Sequence, residues 1–263
     1  YILKQFTLSV RIPIYNDLGS VSGPSGPIAH VTGSSYTTLT TTYNWSISDG
    51  GSVVYTPTPM IVTLTNTGGN ILSFLPLSYP GGDDIQVDWG EGAGYQLNVT
   101  NHRYYNNGTY TVKLSSMGLF GHFGGGSNFC QYISEVVQWG DIGISDFSYA
   151  FYNSKITSIP SGFPSGVTNM QAMFQGSIYF NQPISLNISN IVPGTSSGRT
   201  NNMADMFVNT GLSVTNYSYI LNQFALSSPL PKYVYLGTVT DASSNFIPHY
   251  SNSSYSTLTN STN

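Results

Sequence analysis

Charge is what this sequence has least of. Lys, Arg, Asp and Glu make up 7 % of its 263 residues, against about 25 % in an ordinary soluble domain. The basic residues Lys4, Arg11, Arg103, Lys113, Lys155, Arg199 and Lys232 are scattered along the chain. No basic patch forms, which excludes the counterion-release mode of nucleic-acid binding, and no nucleic-acid partner is expected. Cysteine is limited to Cys130, so no intrachain disulfide can close. No apolar run approaches the roughly 20 residues needed to span a bilayer, and no membrane-spanning segment is expected. A secretory leader is not legible, and a start at Tyr1 rather than Met points to processing or trimming.

Ser, Thr, Asn, Gly and 20 Tyr take the place of charge. Such a surface is solvated by hydroxyls and amides. A hydrophobic share of 40 % and an aromatic share of 14 % supply a core, which speaks against disorder. The composition fits a secreted β-protein, so the expected location is extracellular or at the cell surface.

The first clear pattern is "FTLSVRIPI", residues 6–14. Phe6, Leu8, Val10, Ile12 and Ile14 alternate with Thr7, Ser9, Arg11 and Pro13. Period two is the mark of a half-buried strand, and Pro13 favours an edge or a strand end. "YNDLGSVSGPSGP", residues 15–27, follows and reads as a Gly/Ser/Pro linker. A well-patterned strand is thereby set apart from the body of the chain.

Residues 28–117 carry about seven short strand candidates, separated by turn signals such as "DGG", "TGG", "PGGDD" and "NNG". That organisation predicts a β-sandwich. Beyond the glycine-rich "GLFGHFGGGS", residues 118–127, the pattern changes. Phe147, Ala150 and Phe151 stand at i, i+3 and i+4, as do Met170, Met173 and Phe174, and then Met203, Met206 and Phe207. The spacing predicts three single helical turns, each presenting three side chains on one face. Asp146, Asn169 and Asn202 precede them as capping residues. The extended runs "KITSIP" (155–160) and "QPISLNIS" (182–189) follow the first two turns. One turn plus one strand, recurring at a few tens of residues, predicts a solenoid whose neighbouring units bury each other. "NIVPGTSSGRT", residues 190–200, lengthens the second interval as a surface insertion.

"VTNMQAMFQGSIYFNQPI", residues 167–184, resembles the repeat of the BspA-like leucine-rich-repeat surface proteins. "IQVDWGEG" (85–92) and "HRYYNNGTYTVKLS" (102–115) resemble the PKD-like β-domain often placed before such repeats. "VVQWGDIGISDFSYAFYN" (136–153) is similar to the junction, and residues 216–251 to the closing segment. The resemblance covers about residues 57–258 and implies surface location and attachment or adhesion rather than catalysis.

Residues with chemical potential are sparse. Asp83, Asp84, Asp88 and Glu91 form the densest acidic group. Asp84 and Asp88 share one strand face, as calcium ligands or a glycosidase pair would need. The resemblance instead places Asp88–Gly92 in the turn of a PKD-like domain. His30, His102, His122 and His249 are dispersed, whereas zinc needs clustered ligands. No nucleophile elbow occurs, and "GHFGGGS" lacks the Lys-Ser/Thr ending of a phosphate loop. The chain is therefore expected to be no enzyme and to hold no metal or cofactor. N-x-S/T sequons occur at Asn44, Asn98, Asn107, Asn187, Asn216, Asn252 and Asn260. A chain so rich in Ser and Thr produces several by chance, so their positions matter more than their number.

Three regions result: an N-terminal strand and linker (1–27), a β-sandwich that is PKD-like in its second half (28–117), and a short repeat solenoid with a C-terminal cap (118–263). The expected function is structural. Phe6, Leu8, Val10, Ile12 and Ile14 would act as a donor strand that joins copies into a homopolymeric filament or pilus. The alternative is an adhesin that binds surface glycans through tyrosines of the repeats.

Overall fold

The computed structural model describes residues 17–20, 22–23, 26–27, 30–31, 39, 46–48, 52–53, 58–67, 71–74, 77–78, 85–99, 101–116, 121–124, 128–195, 198, 201–250 and 253–260. Phe6, Leu8, Val10, Ile12 and Ile14 lie outside these residues, as do Asp83, Asp84, Asn44 and Asn252. The chain is mainly β and divides into two compact units, Tyr1–Pro57 and Thr58–Asn263.

The first unit holds β1 (Asp17–Ser20), β2 (Ser22–Gly23), β3 (Gly26–Pro27), β4 (His30–Val31), β5 (Ser46–Ser48) and β6 (Ser52–Val53). β1 pairs with β5 and β4 with β6, both parallel, while β2 and β3 pair antiparallel. The stretch read as a linker, 15–27, thus contains three short strands. Gly, Ser and Pro lower strand propensity without forbidding extended backbone, and pairing with residues 46–48 supplies what propensity does not.

In the second unit the strands are β7 (Met60–Asn66), β8 (Ile71–Phe74), β9 (Leu77–Ser78), β10 (Ile85–Asp88), β11 (Gln96–Leu97), β12 (Asn101–Tyr104), β13 (Gly108–Ser116), β14 (His122–Phe123) and β15 (Ile133–Gln138). A five-stranded antiparallel sheet runs in the order β11-β10-β13-β7-β15. Along β7 the sequence MIVTLTN buries every second residue, as its alternation predicts. Two further antiparallel pairs form, β8 with β12 and β9 with β14. β15, from the region read as repeats, is a full partner of β7.

The sheet continues beyond β15 with residues from the repeats. Thr157 N–H donates to Ser134 O (2.8 Å) and Val136 N–H to Ser158 O (3.0 Å), in parallel pairing. The next run joins through Ser185 N–H to Ser161 O (3.0 Å). Gln182 takes the place of a backbone unit there: its Nε2 donates to Ile159 O (2.7 Å) and its Oε1 accepts from Ile159 N–H (2.8 Å).

The apolar triplets behave differently from the expected helical turns. Phe147, Ala150 and Phe151 are fully buried, as are Met170, Met173, Phe174, Met206 and Phe207, with Met203 nearly so. The backbone, however, forms overlapping turns and not helix. Ala150, Tyr152 and Ser154 N–H donate to the carbonyls three residues back. The alternate groups of Phe147, Tyr149, Phe151 and Asn153 donate to Asn169, Gln171, Met173 and Gln175 of the next segment. The pattern repeats from Met170, Ala172, Phe174 and Gly176 to Asn202, Ala204, Met206 and Val208. Left-handed residues recur every fourth position, at Tyr149 and Asn153, Ala172 and Gly176, Asp205 and Asn209. A helix would spend every interior N–H within its own segment and leave nothing to join neighbours. The turns spend half at home and half abroad.

The segments end under a C-terminal cover. Asp205 N–H donates to Leu236 O and Thr210 N–H to Thr240 O, both 3.0 Å. Two helices of moderate length, α2 (Val214–Ala225) and α3 (Ser253–Asn260), pack together there; a five-residue α1 (Asn128–Tyr132) precedes β15. α2 buries Tyr217, Ile220, Leu221 and Phe224, and Ser213 Oγ caps it by accepting from Asn216 N–H (3.2 Å). One continuous apolar core runs from Met60 to Ile247.

Candidate functional site

Two arrangements in the second unit gather polar and aromatic groups. The first is the turn after β10. Asp88 Oδ1 accepts from Gly90 N–H (3.0 Å), and Oδ2 accepts from Lys113 Nζ (3.4 Å) on β13. Gly90 lies in the left-handed region, at φ 82°, and an added Cβ would stand 2.7 Å from Thr111 O, so the turn presses directly on β13. Trp89 is buried beneath it. Its ring stacks on His102 at 5.1 Å and meets Tyr104 and Phe129 edge-on. Tyr104 Oη donates to Trp89 O (2.9 Å). Burial, with the nearby Glu91 carboxylate second, pushes the Tyr104 phenol well above its ordinary range. His102 Nε2 lies 2.7 Å from Glu91 Oε2, both partly exposed. The buried Trp89 Nε1 meets no acceptor among the described residues.

These contacts tie three strands to one turn. Asp88 is engaged by a backbone N–H and a lysine, which leaves it poorly placed as a cation ligand. Among the described residues no group of three or more His, Cys, Asp or Glu converges closely enough to hold a metal ion. His122 is elsewhere, its Nε2 3.2 Å from both Ser148 O and Ser148 Oγ, and His249 stacks on Tyr255. Cys130 is buried in α1.

The second arrangement is the stack of repeat segments. Asp146 Oδ1 accepts from Ser148 N–H (2.8 Å) and Asn169 Oδ1 from Gln171 N–H (3.1 Å), two residues on in each case. Asn169 Nδ2 donates across to Asp146 Oδ2 (3.1 Å). The capping residues therefore link segments as well as ending them. On the inner side Ser177 Oγ donates to Phe151 O and stands 3.1 Å from Ser154 Oγ. Outside, Tyr149 and Tyr179 expose their rings, Tyr179 to 61 %.

The sequons separate by environment. Asn98, Asn107 and Asn187 are exposed. Asn216 lies in the first turn of α2, where its Nδ2 donates to Asn181 O (3.1 Å) and Asn181 Oδ1 (2.8 Å). Asn260 ends α3. No helix among the described residues is long and apolar enough to cross a membrane. Sequence reasoning missed the Trp89–His102 stack, although both residues stood in quoted motifs; only pairing of distant strands brings them together. No family model, no curated protein and no solved structure matches the chain.

Proposed function

We propose that this chain is a non-enzymatic extracellular structural protein, the subunit of a surface filament assembled by donor-strand exchange. The observation that carries the reading is the strict alternation of Phe6, Leu8, Val10, Ile12 and Ile14 ahead of the first described strand, β1. Five apolar side chains on one face of an extended segment are poorly tolerated in water, because such an edge invites pairing. Extended at roughly 3.3 Å per residue, a segment of that length would be long enough to reach an adjoining subunit. Seated in a neighbour's groove, it combines backbone hydrogen bonds with pocketed side chains. Repeated head to tail, the contact makes an open filament.

In this reading the second unit is a rigid body. We take its sheet and strand pairs as a PKD-like β-sandwich and its stacked segments as a short BspA-like leucine-rich-repeat solenoid. Dense hydrogen bonding between segments and a surface with little charge suit a load-bearing exterior part. The adhesin alternative draws on exposed Tyr149 and Tyr179 on the repeats, since aromatic faces stack on sugars.

Electron microscopy and size-exclusion chromatography of three proteins test the assignment. The parent is expected to polymerise, while deletion of residues 1–14 and the change Val10→Asp are expected to leave folded monomers. A monomeric parent, or filaments from the truncated chain, removes donor-strand assembly and leaves the adhesin reading.

A further inference from the structure

We propose that Asn107 is an N-glycan acceptor whose first sugar packs on the exposed ring of Tyr105. The two residues lie in the connection between β12 and β13, within the sequence Tyr105-Asn106-Asn107-Gly108-Thr109. Asn107 and Thr109, the amide and hydroxyl of the sequon, are both exposed. Tyr105 precedes the acceptor by two residues and is 69 % exposed.

The connection is held in a defined shape. Asn106 O turns inward and accepts two hydrogen bonds, from Asn66 Nδ2 (2.8 Å) and from Tyr110 Oη (2.9 Å). Pinning that carbonyl fixes the middle of the loop while the residues on both sides remain at the surface. A sugar on Asn107 Nδ2 thus starts from a loop whose middle is fixed, two residues from the exposed ring of Tyr105. The apolar C–H face of a pyranose can cover an exposed aromatic face, and a loop fixed at Asn106 O lowers the backbone ordering that the contact costs.

The other described sequons lack this combination. At Asn216 the hydroxyl of the sequon, Ser218 Oγ, is buried and accepts from Tyr250 N–H (2.9 Å), whereas Thr109 is exposed. Asn187 is exposed, but Ser185 stands where Tyr105 stands for Asn107. Asn98 has Gln96 at that offset.

The reaction needs a polyprenyl-diphosphate-linked oligosaccharide and its transferase. A bond forms between Asn107 Nδ2 and the anomeric carbon, and the bond from that carbon to the phosphate oxygen breaks. The lipid diphosphate leaves, and the amide gives up one proton to a base of the transferase. In a cell the inference rests on the exported location proposed above. In vitro it is independent of filament assembly, so a chain that never polymerises tests it equally well.

The test uses the folded full chain with a purified transferase chosen because it modifies free peptides of residues 102–112 and 211–221. Site occupancy is read by glycopeptide mass spectrometry, and melting is compared with and without the glycan. Asn107 is expected to be modified in the folded chain and Asn216 not. The glycan is expected to raise Tm by about 2–4 °C, the scale of one added weak contact in a chain of this size. Tyr105→Phe should retain that rise, and Tyr105→Ala should lose it while still accepting the sugar. A folded chain left unmodified at Asn107 overturns the acceptor assignment, and modification at Asn216 overturns the contrast between the two sequons. An equal rise in Tyr105→Ala overturns the role of the ring.

Discussion

The rings of Phe174 and Phe207 lie parallel to within 2°, with centroids 6.0 Å apart. Phe151 stacks on the other side of Phe174 at 5.6 Å, and Phe180 lies against it at 4.0 Å. Three segments distant in sequence thus contribute one aromatic column, and Phe174 is its centre. The backbone bonds between segments fix the rise that lets the rings stack.

Truncating the centre of that column should be severe. Phe174→Ala is expected to cost about 3–5 kcal/mol, as a large buried aromatic removed from a packed core. Tyr179→Ala, at a ring 61 % exposed, is expected to change stability by less than about 0.5 kcal/mol. Urea unfolding of both variants checks the contrast. Equal, small effects would show that the segments do not depend on the column.

Gly124 should tolerate no side chain. Its φ of 154° is already unusual, and an added Cβ would stand 2.1 Å from Ser148 O in the first turn segment. Ser148 O is a backbone atom and the position of a Cβ is set by its own backbone, so relief requires the chain at Gly124 to move away from the stack. Gly124→Ala is expected to destabilise by about 1–3 kcal/mol. Thermal melting measures it, and a shift under about 1 °C would contradict this packing.

Alkali should unfold the protein through its buried phenols. Burial, with Tyr255 a lesser influence, pushes Tyr217 from 10.0 up to about 12, and Tyr104 is raised further. A raised folded-state value means the stability from keeping these groups neutral is complete below about pH 10. It falls as pH rises through the folded values, because the unfolded chain loses its protons first. Stability is therefore expected to decline from about pH 10 upward. Tyr217→Phe should flatten the decline, which denaturant titrations at pH 8 to 12 would register.

Acid, by contrast, has little to attack. Only 11 Asp and Glu are present in the chain. The carboxyl of Asp241, hydrogen-bonded first by Asn245 N–H and also by Ser243 N–H and the Asn245 side chain, is held below its ordinary value. A depressed value gives stability that is present above the ordinary carboxylate range and lost only as pH falls through the lower one. Folding is expected to persist well below about pH 4. Circular dichroism that shows a sharp unfolding transition near pH 4 would refute it.

Several of these relationships were already written in the sequence. The alternation of MIVTLTN decided which face of β7 is buried, because side-chain direction in a strand has period two. The triplets ending in Phe151, Phe174 and Phe207 decided which residues form the core of the repeats, and Asp146 and Asn169 announced their turns. Tertiary structure decided the rest. Spacing of i, i+3 and i+4 is shared by a helical turn and by the overlapping turns found here; the choice depends on whether a neighbouring segment accepts the free N–H groups. The helix at Val214–Ala225, capped by Ser213, was not anticipated: its β-branched and aromatic residues have modest helix propensity, and the burial of Tyr217, Ile220, Leu221 and Phe224 supplies the energy. Likewise, the strands within residues 17–27 exist through partners that local composition does not reveal. Side-chain pattern is local and survives in the sequence, whereas hydrogen-bond partners are long-range and are fixed only when the chain has folded.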